Sequence, residues 1–433
     1  MVSQETPQVE QQGGATGTAF SLWRVPGYLE TMAAIAAAFG AWSLLLPLLP
    51  LAVLDNGGSA GLAGATTGIF MAATVLTQIV TPRLLRSFGY RPVMAGAAFM
   101  LGVPALGHLL GMEPWLVLLF CALRGVGFGA LTVAESALIA ELVPLRYLGK
   151  ATGMMGVFIG LSQMLFLPAG LAIESAWGFS TAYILAAAMG LFAAIMCIRL
   201  PRVRPESKAD RAAAREHTDG PPRVAMWKLV LVPALSVTTL SMSYGLVSSF
   251  LPASVREIDP VTGAVLGGIM LSLVGGAAMV FRYAAGEFAD RTGRPGVLTI
   301  PAQILGFAGM GLMAATVAFG WSVWWLVLAA VAFGGAFGVI QNEALLSMFN
   351  RLPRENVSEA SAVWNIFYDS GTGLGSVVLA ALVPLWGYAG AYGAGAFIII
   401  GGVAITGLDL YLGAHRVTEY GNIKTRLKRL RKV

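Results

Sequence analysis

Gly286-Glu287-Phe288-Ala289-Asp290-Arg291-Thr292-Gly293-Arg294-Pro295 is a short charged stretch set between two long apolar runs. Gly286 closes the first run at a point where a larger side chain would hold a neighbouring helix away. Asp290 and Arg291 place opposite charges at the edge of the apolar layer. Gly293-Arg294-Pro295 turns the chain before the next apolar run begins.

The rest of the chain suits a bilayer. Hydrophobic residues make up 57% of its 433 positions and charged residues only 12%, against about a quarter in a soluble protein. The 54 glycines fit helices that pack closely in lipid. Cys121 and Cys197 both fall inside apolar runs, and His108, His217 and His415 are dispersed. No disulfide framework, metal site or cofactor is expected from them. The 18 methionines lack ligand spacing with Cys or His and read as adaptable packing. No Gly-x-x-x-x-Gly-Lys-Ser/Thr loop is present, so direct ATP drive is not expected.

Twelve segments are long and apolar enough to span a bilayer, at about 20 residues each. They run over 29–54, 61–83, 92–111, 115–142, 150–173, 179–199, 227–253, 262–287, 296–317, 321–349, 357–385 and 389–412. The long polar segment from Arg199 to Lys228 divides them six and six and reads as a flexible linker. The expected organisation is a disordered tail (1–22), a six-helix bundle (23–199), a linker (200–226), a second six-helix bundle (227–413) and a basic tail (414–433). Residues 1–22 lack a basic n-region and an apolar core, so they are not read as a signal peptide.

Of the 28 lysines and arginines, 25 fall in segments on the side of the two termini. Only Arg256 lies in a loop on the other side, while Arg124 and Arg282 lie within helices. This asymmetry places both termini in the cytoplasm. It also explains the basic tail, together with anionic lipid, so no nucleic-acid partner is expected. Gly89-Tyr90-Arg91-Pro92 and Gly293-Arg294-Pro295 each follow the second helix of a half, and Gly129 to Pro144 matches Gly338 to Pro353 in span. These landmarks imply a duplicated six-helix unit.

Charge within a bilayer is costly and needs a reason. Arg124 lies near the middle of helix 4, where a purely structural arginine would cap the carbonyls of a broken helix and order the cavity wall. Glu135 follows eleven residues later, on the same face and about 16 Å along the axis. It either lines a pathway or pairs with a neighbouring helix. Asp369 lies near mid-bilayer in helix 11. A carboxylate whose surroundings change between dry and wet can load and release a proton; alternatively Asp369 ties helix 11 to its neighbour. Glu343, beside Gln341 and Asn342 in helix 10, is a further titrating candidate. Arg282 reads as structural, Asp409 as snorkelling from the end of helix 12. Trp42, Gln78, Gln163, Tyr244, Gln341, Asn342, Trp364 and Asn365 are candidates for a substrate pocket, or for packing between helices.

Gly286, Asp290, Arg291, Gly293 and Arg294 resemble the loop motif Gly-x-x-x-Asp-Arg-x-Gly-x-Arg of the major facilitator superfamily. The arginine and glycines of Leu123-Arg124-Gly125-Val126-Gly127-Phe128-Gly129 partly resemble that family's fourth-helix motif, and the resemblance implies for Arg124 a role in proton coupling or in charge inside the cavity. The resemblance covers nearly the whole chain. It implies an all-α membrane fold of two pseudo-symmetric six-helix bundles, with a binding site between the halves lined chiefly by helices 1, 4, 7 and 10. The first-half loop departs from the family: Arg86, three residues before Gly89, stands where an Asp is usual. An acidic residue there can bind the positive end of a helix in the opposite half. Arg86 cannot, and Asp290 can, with the start of helix 5 near Lys150 as its target. In helix 5 the Gly-Pro pair of family antiporters is replaced by Leu167-Pro168, which leaves transport direction open.

The function expected is secondary transport by alternating access in the cytoplasmic membrane. The partners are a small lipophilic or amphipathic molecule, protons and the lipid bilayer, and a monomer suffices. Export by proton antiport is the first choice and uptake by proton symport the alternative. A non-transporting sensor would share the fold. A membrane-embedded enzyme would need a nucleophile–base pair or metal ligands, and no spacing supplies either; His108 stands alone near the outer surface.

Overall fold

A computed structural model describes residues 21–58, 60–203, 226–259, 263–352 and 356–412. The expected terminal tails and most of the linker lie outside the described residues. Apolar stretches with no water to satisfy their backbones must bond internally, and all the long elements are helices. The first half holds α1 (Tyr28–Leu45), α2 (Ala60–Phe88), α3 (Tyr90–Gly102), α4 (Pro114–Leu142), α5 (Leu148–Trp177) and α6 (Phe179–Ile198). The second holds α7 (Met226–Ile258), α8 (Gly263–Thr292), α9 (Thr299–Ala318), α10 (Trp324–Arg351), α11 (Val357–Leu374) and α12 (Val383–Leu412). A short helix, Leu48–Asp55, continues α1, and a 3-10 helix, Val103–Leu110, continues α3.

Eleven of these elements are long and apolar enough to cross a membrane by length and composition. The twelfth, α11, carries Glu359, Asn365 and Asp369 within 18 residues. It runs on through a π turn (Gly375–Leu379) and a 3-10 turn (Ala380–Leu382) before α12, which is kinked at Gly387. The fold is the all-α, twelve-helix architecture of two six-helix bundles.

The packing repeats with a shift of six helices. In the first half α2 and α3 pack on α4, α1 on α5 and α6, and α3 on α6. In the second half α8 and α9 pack on α10, α7 on α11 and α12, and α9 on α12. The α2–α4 crossing is made possible by Gly125 and Gly129, since a β-carbon at Gly129 would stand 3.0 Å from the Thr74 carbonyl carbon. Gly334 and Gly338 do the same for α10 on α8, where a β-carbon at Gly338 would stand 2.7 Å from the Ala278 Cα. Small residues four apart let two helix backbones meet. The halves join where α5 packs on α8 and α2 on α11, with α4 also touching α11. These two seams exchange under the same six-helix shift.

The turns are tighter than the sequence reading expected. α2 continues to Phe88, so Arg83 and Arg86 ride on its last turns, and the reversal falls on Gly89 alone, at φ 84°. Likewise Gly286 to Arg291 belong to α8, and the chain turns at Gly293 (φ 62°) and Gly296 (φ 92°). Continuing each helix keeps its backbone amides paired in an apolar layer.

Candidate functional site

The site begins at the end of the molecule where the linker joins the halves. Tyr147, which precedes α5, makes no side-chain cap. The first amides of that helix are orphan donors at its positive end. Asp290 of α8 supplies the missing acceptor from the other half: Oδ1 accepts from the Gly149 amide and Oδ2 from the Lys150 amide, each at 2.7 Å. Gly286 makes the approach possible, because a β-carbon there would stand 2.6 Å from the Gly149 carbonyl carbon. Arg291 pairs within its own helix with Glu287, at 2.7 Å. Gly293 and Arg294 form the turn and are exposed.

The other seam has a counterpart that the sequence reading missed. Arg86, expected to lack a target, forms an ion pair with Glu359 in the first turn of α11. The acid comes from the helix start and the base from the opposite half, the reverse of the Asp290 arrangement. Nothing near Arg86 in the sequence announces this, since Glu359 is 273 residues away.

Between these ends and mid-depth lies a chain of polar contacts across the halves. Thr152 of α5 donates to Asn342 of α10 at 2.7 Å. Ser136 of α4 bonds Ser361 of α11, which also donates to the Val133 carbonyl at 2.8 Å. Asn365 donates to the Thr132 carbonyl at 3.3 Å. Deepest in this series, the Gln78 side-chain amide of α2 donates to Asp369 Oδ2 of α11 at 2.6 Å. Gln78 is fully buried and Asp369 partly buried.

Arg282 of α8 is buried and donates to the Gln341 side-chain oxygen at 2.9 Å. Its guanidinium lies over the Trp364 ring, 5.8 Å from the centroid. Among the described residues, Oε2 of Glu135, buried on α4, makes no hydrogen bond, nor do Arg282 Nε and Nη2. Trp364 donates to the Gln341 carbonyl at 3.1 Å and stacks on Tyr368 at 5.1 Å. Tyr368 continues onto Phe337 at 5.9 Å, and Phe337 onto Tyr244 at 4.4 Å. This aromatic wall joins α7 and α10, two of the four helices expected to line the site, with α11. Trp42 lies in the opposite half, stacked on Phe128 at 5.1 Å. Gln163, half-buried on α5, is not brought into either group.

Glu343 stands apart from the seam. Its Oε2 accepts from the Gly296 amide at 2.6 Å and the Leu298 amide at 3.2 Å, which caps the entry to α9. Arg124 donates through Nε to the Leu101 carbonyl at 3.1 Å and through Nη2 to the Ala41 carbonyl at 3.4 Å. Leu101 lies in the last turn of α3, and the 3-10 donor to its carbonyl would be residue 104, a proline with no N–H. Arg124 takes that acceptor. His108 is buried, against Phe120 and Tyr183 at centroid distances of 5.9 and 5.4 Å. Asp409 does not snorkel: it pairs with Arg351 at 2.8 Å. Among the described residues no group of three or more His, Cys, Asp or Glu is placed to hold a metal.

A family model described as Major Facilitator Superfamily matches residues 31–376. The multidrug resistance protein MdtG of Citrobacter koseri is 26% identical over 360 residues, covering 80% of this chain and 86% of that one. An uncharacterized MFS-type transporter of Mycobacterium tuberculosis is 32% identical over 122 residues, covering 28% of this chain but only 18% of its own length. The crystal structure of the human organic anion transporter MFSD10 superposes with a TM-score of 0.69 at 17% identity, covering 90% of this chain and all of that one. The proton:xylose symporter XylE gives a TM-score of 0.69 at 15% identity, covering 90% and 96%.

Proposed function

From its membership of the major facilitator superfamily, to which this chain belongs, we propose that it exports a small lipophilic or amphipathic molecule by exchange for protons. Both termini and the linker face the cytoplasm, as the distribution of lysine and arginine supports. The state described is closed on that face, latched by Asp290 at the start of α5 and by Arg86 on Glu359.

The observation that carries the reading is the hydrogen bond from Gln78 to Asp369. A hydrogen bond to an ionised carboxylate is roughly twice as strong as one between neutral groups. A proton reaching Asp369 therefore weakens the contact between α2 and α11. Weakening that seam favours opening to the cytoplasm with the proton aboard, where it is released and substrate binds. Deprotonated Asp369 rebuilds the contact and returns the carrier to the closed face. Glu135 and Arg282, with unused hydrogen-bonding groups near the same seam, provide a second place for a proton or a polar substrate group. The aromatic wall of Trp364, Tyr368, Phe337 and Tyr244 suits the apolar part of the cargo. Glu343 positions the loop that bears Asp290's neighbours and is not part of the proton path. Relatives described by name as multidrug resistance proteins favour export over uptake.

The test is a liposome assay with an internal pH-sensitive dye, an imposed pH gradient and a panel of lipophilic and amphipathic compounds. Compound-dependent loss of the gradient, with protons moving opposite to the compound, is the expected result. Protons moving with the compound would make the protein a symporter.

A further inference from the structure

We propose that the groove between the start of α3 and the end of α6, on the linker side of the first half, holds the phosphate headgroup of an anionic phospholipid. The groove has a volume of about 370 Å³, within the range of about 300–1,000 Å³ usual for ligand sites. Arg91 and Arg202 line it, and Phe88, Pro92, Ala95 and Ile198 supply the apolar part of its wall.

The place of the groove selects a lipid. Three apolar spans end there, at Phe88, Tyr90 and Ile198, so it opens at the depth where headgroups lie. The halves join chiefly through α2, α4 and α5 of the first bundle, which leaves the outer faces of α3 and α6 to the bilayer. Gly96 and Phe99 of α3 and Phe192 and Ile195 of α6 are exposed. They follow Pro92 and Ile198 at steps of three and four residues, so each stripe runs from the groove into the apolar layer. A β-carbon at Gly96 would meet no atom within 4 Å. An acyl chain has room to lie along this furrow while its headgroup sits in the groove.

The second observation is charge. Arg91 is half-buried and Arg202 exposed, and neither makes an ion pair among the described residues. No acid lines the groove. The Tyr90 backbone N–H donates to the Val203 carbonyl at 3.2 Å. That bond holds the chain after α6 against the start of α3 and brings Arg202 to the groove that Arg91 borders. Two guanidiniums present forks of donors that match phosphate oxygens. The excess of arginine on this side follows from the positive-inside rule, but that rule asks only for charge, not for a cavity bordered by two arginines. Basic pockets between helices at this level are suited to anionic headgroups.

The experiment is native mass spectrometry of the full-length protein released from phosphatidylcholine nanodiscs that hold a rising fraction of phosphatidylglycerol. The wild type keeps a phosphatidylglycerol in preference to phosphatidylcholine. Arg91→Gln combined with Arg202→Gln weakens that retention at least about tenfold. Arg24→Gln combined with Lys228→Gln removes as much charge from the same side and leaves retention within about twofold. Ala95→Phe fills the groove, keeps both arginines and abolishes retention. No preference for phosphatidylglycerol, equal loss in the two charge pairs, or full retention by Ala95→Phe overturns the proposal. If excess inorganic phosphate displaces the lipid, the groove is a site for the free anion and the proposal fails. If the double variant at 91 and 202 loses a dimer instead of a lipid, the groove belongs to a second copy and the proposal fails too. The test contains neither transported compound nor proton gradient, so the lipid site and the exporter reading stand or fall separately.

Discussion

Arg86 at the end of α2 and Glu359 in the first turn of α11 form an ion pair across the two halves. The symmetry-related seam uses Asp290 against the bare amides of α5. One fold thus closes its two seams with opposite polarity. At the second seam an acid from α8 meets a helix start. At the first, the acid is built into the helix start and the base reaches to it. In both, the negative group sits at the positive end of a helix.

That shared feature predicts an incomplete charge swap. Arg86→Ala and Glu359→Ala each loosen the closed state by about 1 kcal/mol, the usual worth of a partly exposed pair. Combining Arg86→Glu with Glu359→Arg restores the pair but puts a cation at a helix start, costing about 0.3–1 kcal/mol. Labelling of a cysteine placed on the linker-side face of α11 should rise in both single variants and fall only part of the way back in the swap.

Asp290→Asn should open the linker side more than Arg86→Ala does. Asn retains one acceptor oxygen and loses both the charge and the second acceptor, at about 1–3 kcal/mol. Distances between spin labels at the start of α5 and the end of α8 measure it. An effect of Asp290→Asn smaller than that of Arg86→Ala would place the main latch on the first-half seam.

Gly286→Leu should separate α5 from α8 without unfolding the bundles. The added side chain has no room beside Gly149, whereas the packing within each half is untouched. The expected outcome is a melting temperature within a few degrees of wild type, with a spin-label distance between α5 and α8 longer by several ångströms.

Arg124→Met leaves the Leu101 carbonyl without its donor and should destabilise the protein by about 1–3 kcal/mol. Pro104→Ala supplies a backbone N–H at the position from which a 3-10 turn would bond that carbonyl. The double variant should recover part of the loss, so the two changes are non-additive in a double-mutant cycle of thermal unfolding. Simple additivity would show that Arg124 does not serve that carbonyl.

What could be read from the sequence was what sits in local patterns. Hydropathy placed the helices. The resemblance of Gly286 to Arg294 to the family's loop motif, with the symmetry of the implied fold, aimed Asp290 at the start of α5. Contacts across the halves were not legible, because residues that meet are hundreds of positions apart and each half reads the same without its partner. Glu359 drew no notice, as an acid in a helix's first turn is ordinary. Gln78 passed as one pocket residue among several, although its amide holds Asp369. Asp409 was taken for a snorkelling acid because distance from a helix end is visible in the sequence and Arg351 beside it is not. The extension of α2 through Arg86 escaped notice because its charges look like a loop, while in the fold they lie on a helix that ends at a single glycine.

The most direct test of proton coupling through Asp369 compares two modes of transport in liposomes for wild type and Asp369→Asn. With a pH gradient as the only driving force, wild type should accumulate an active compound and the variant should not. With no gradient and compound on both sides, the variant should exchange labelled for unlabelled compound at a rate comparable to wild type, because an amide at position 369 still closes and opens the seam without carrying a proton. Gradient-driven accumulation by Asp369→Asn at the wild-type level would contradict the account and move proton coupling to Glu135.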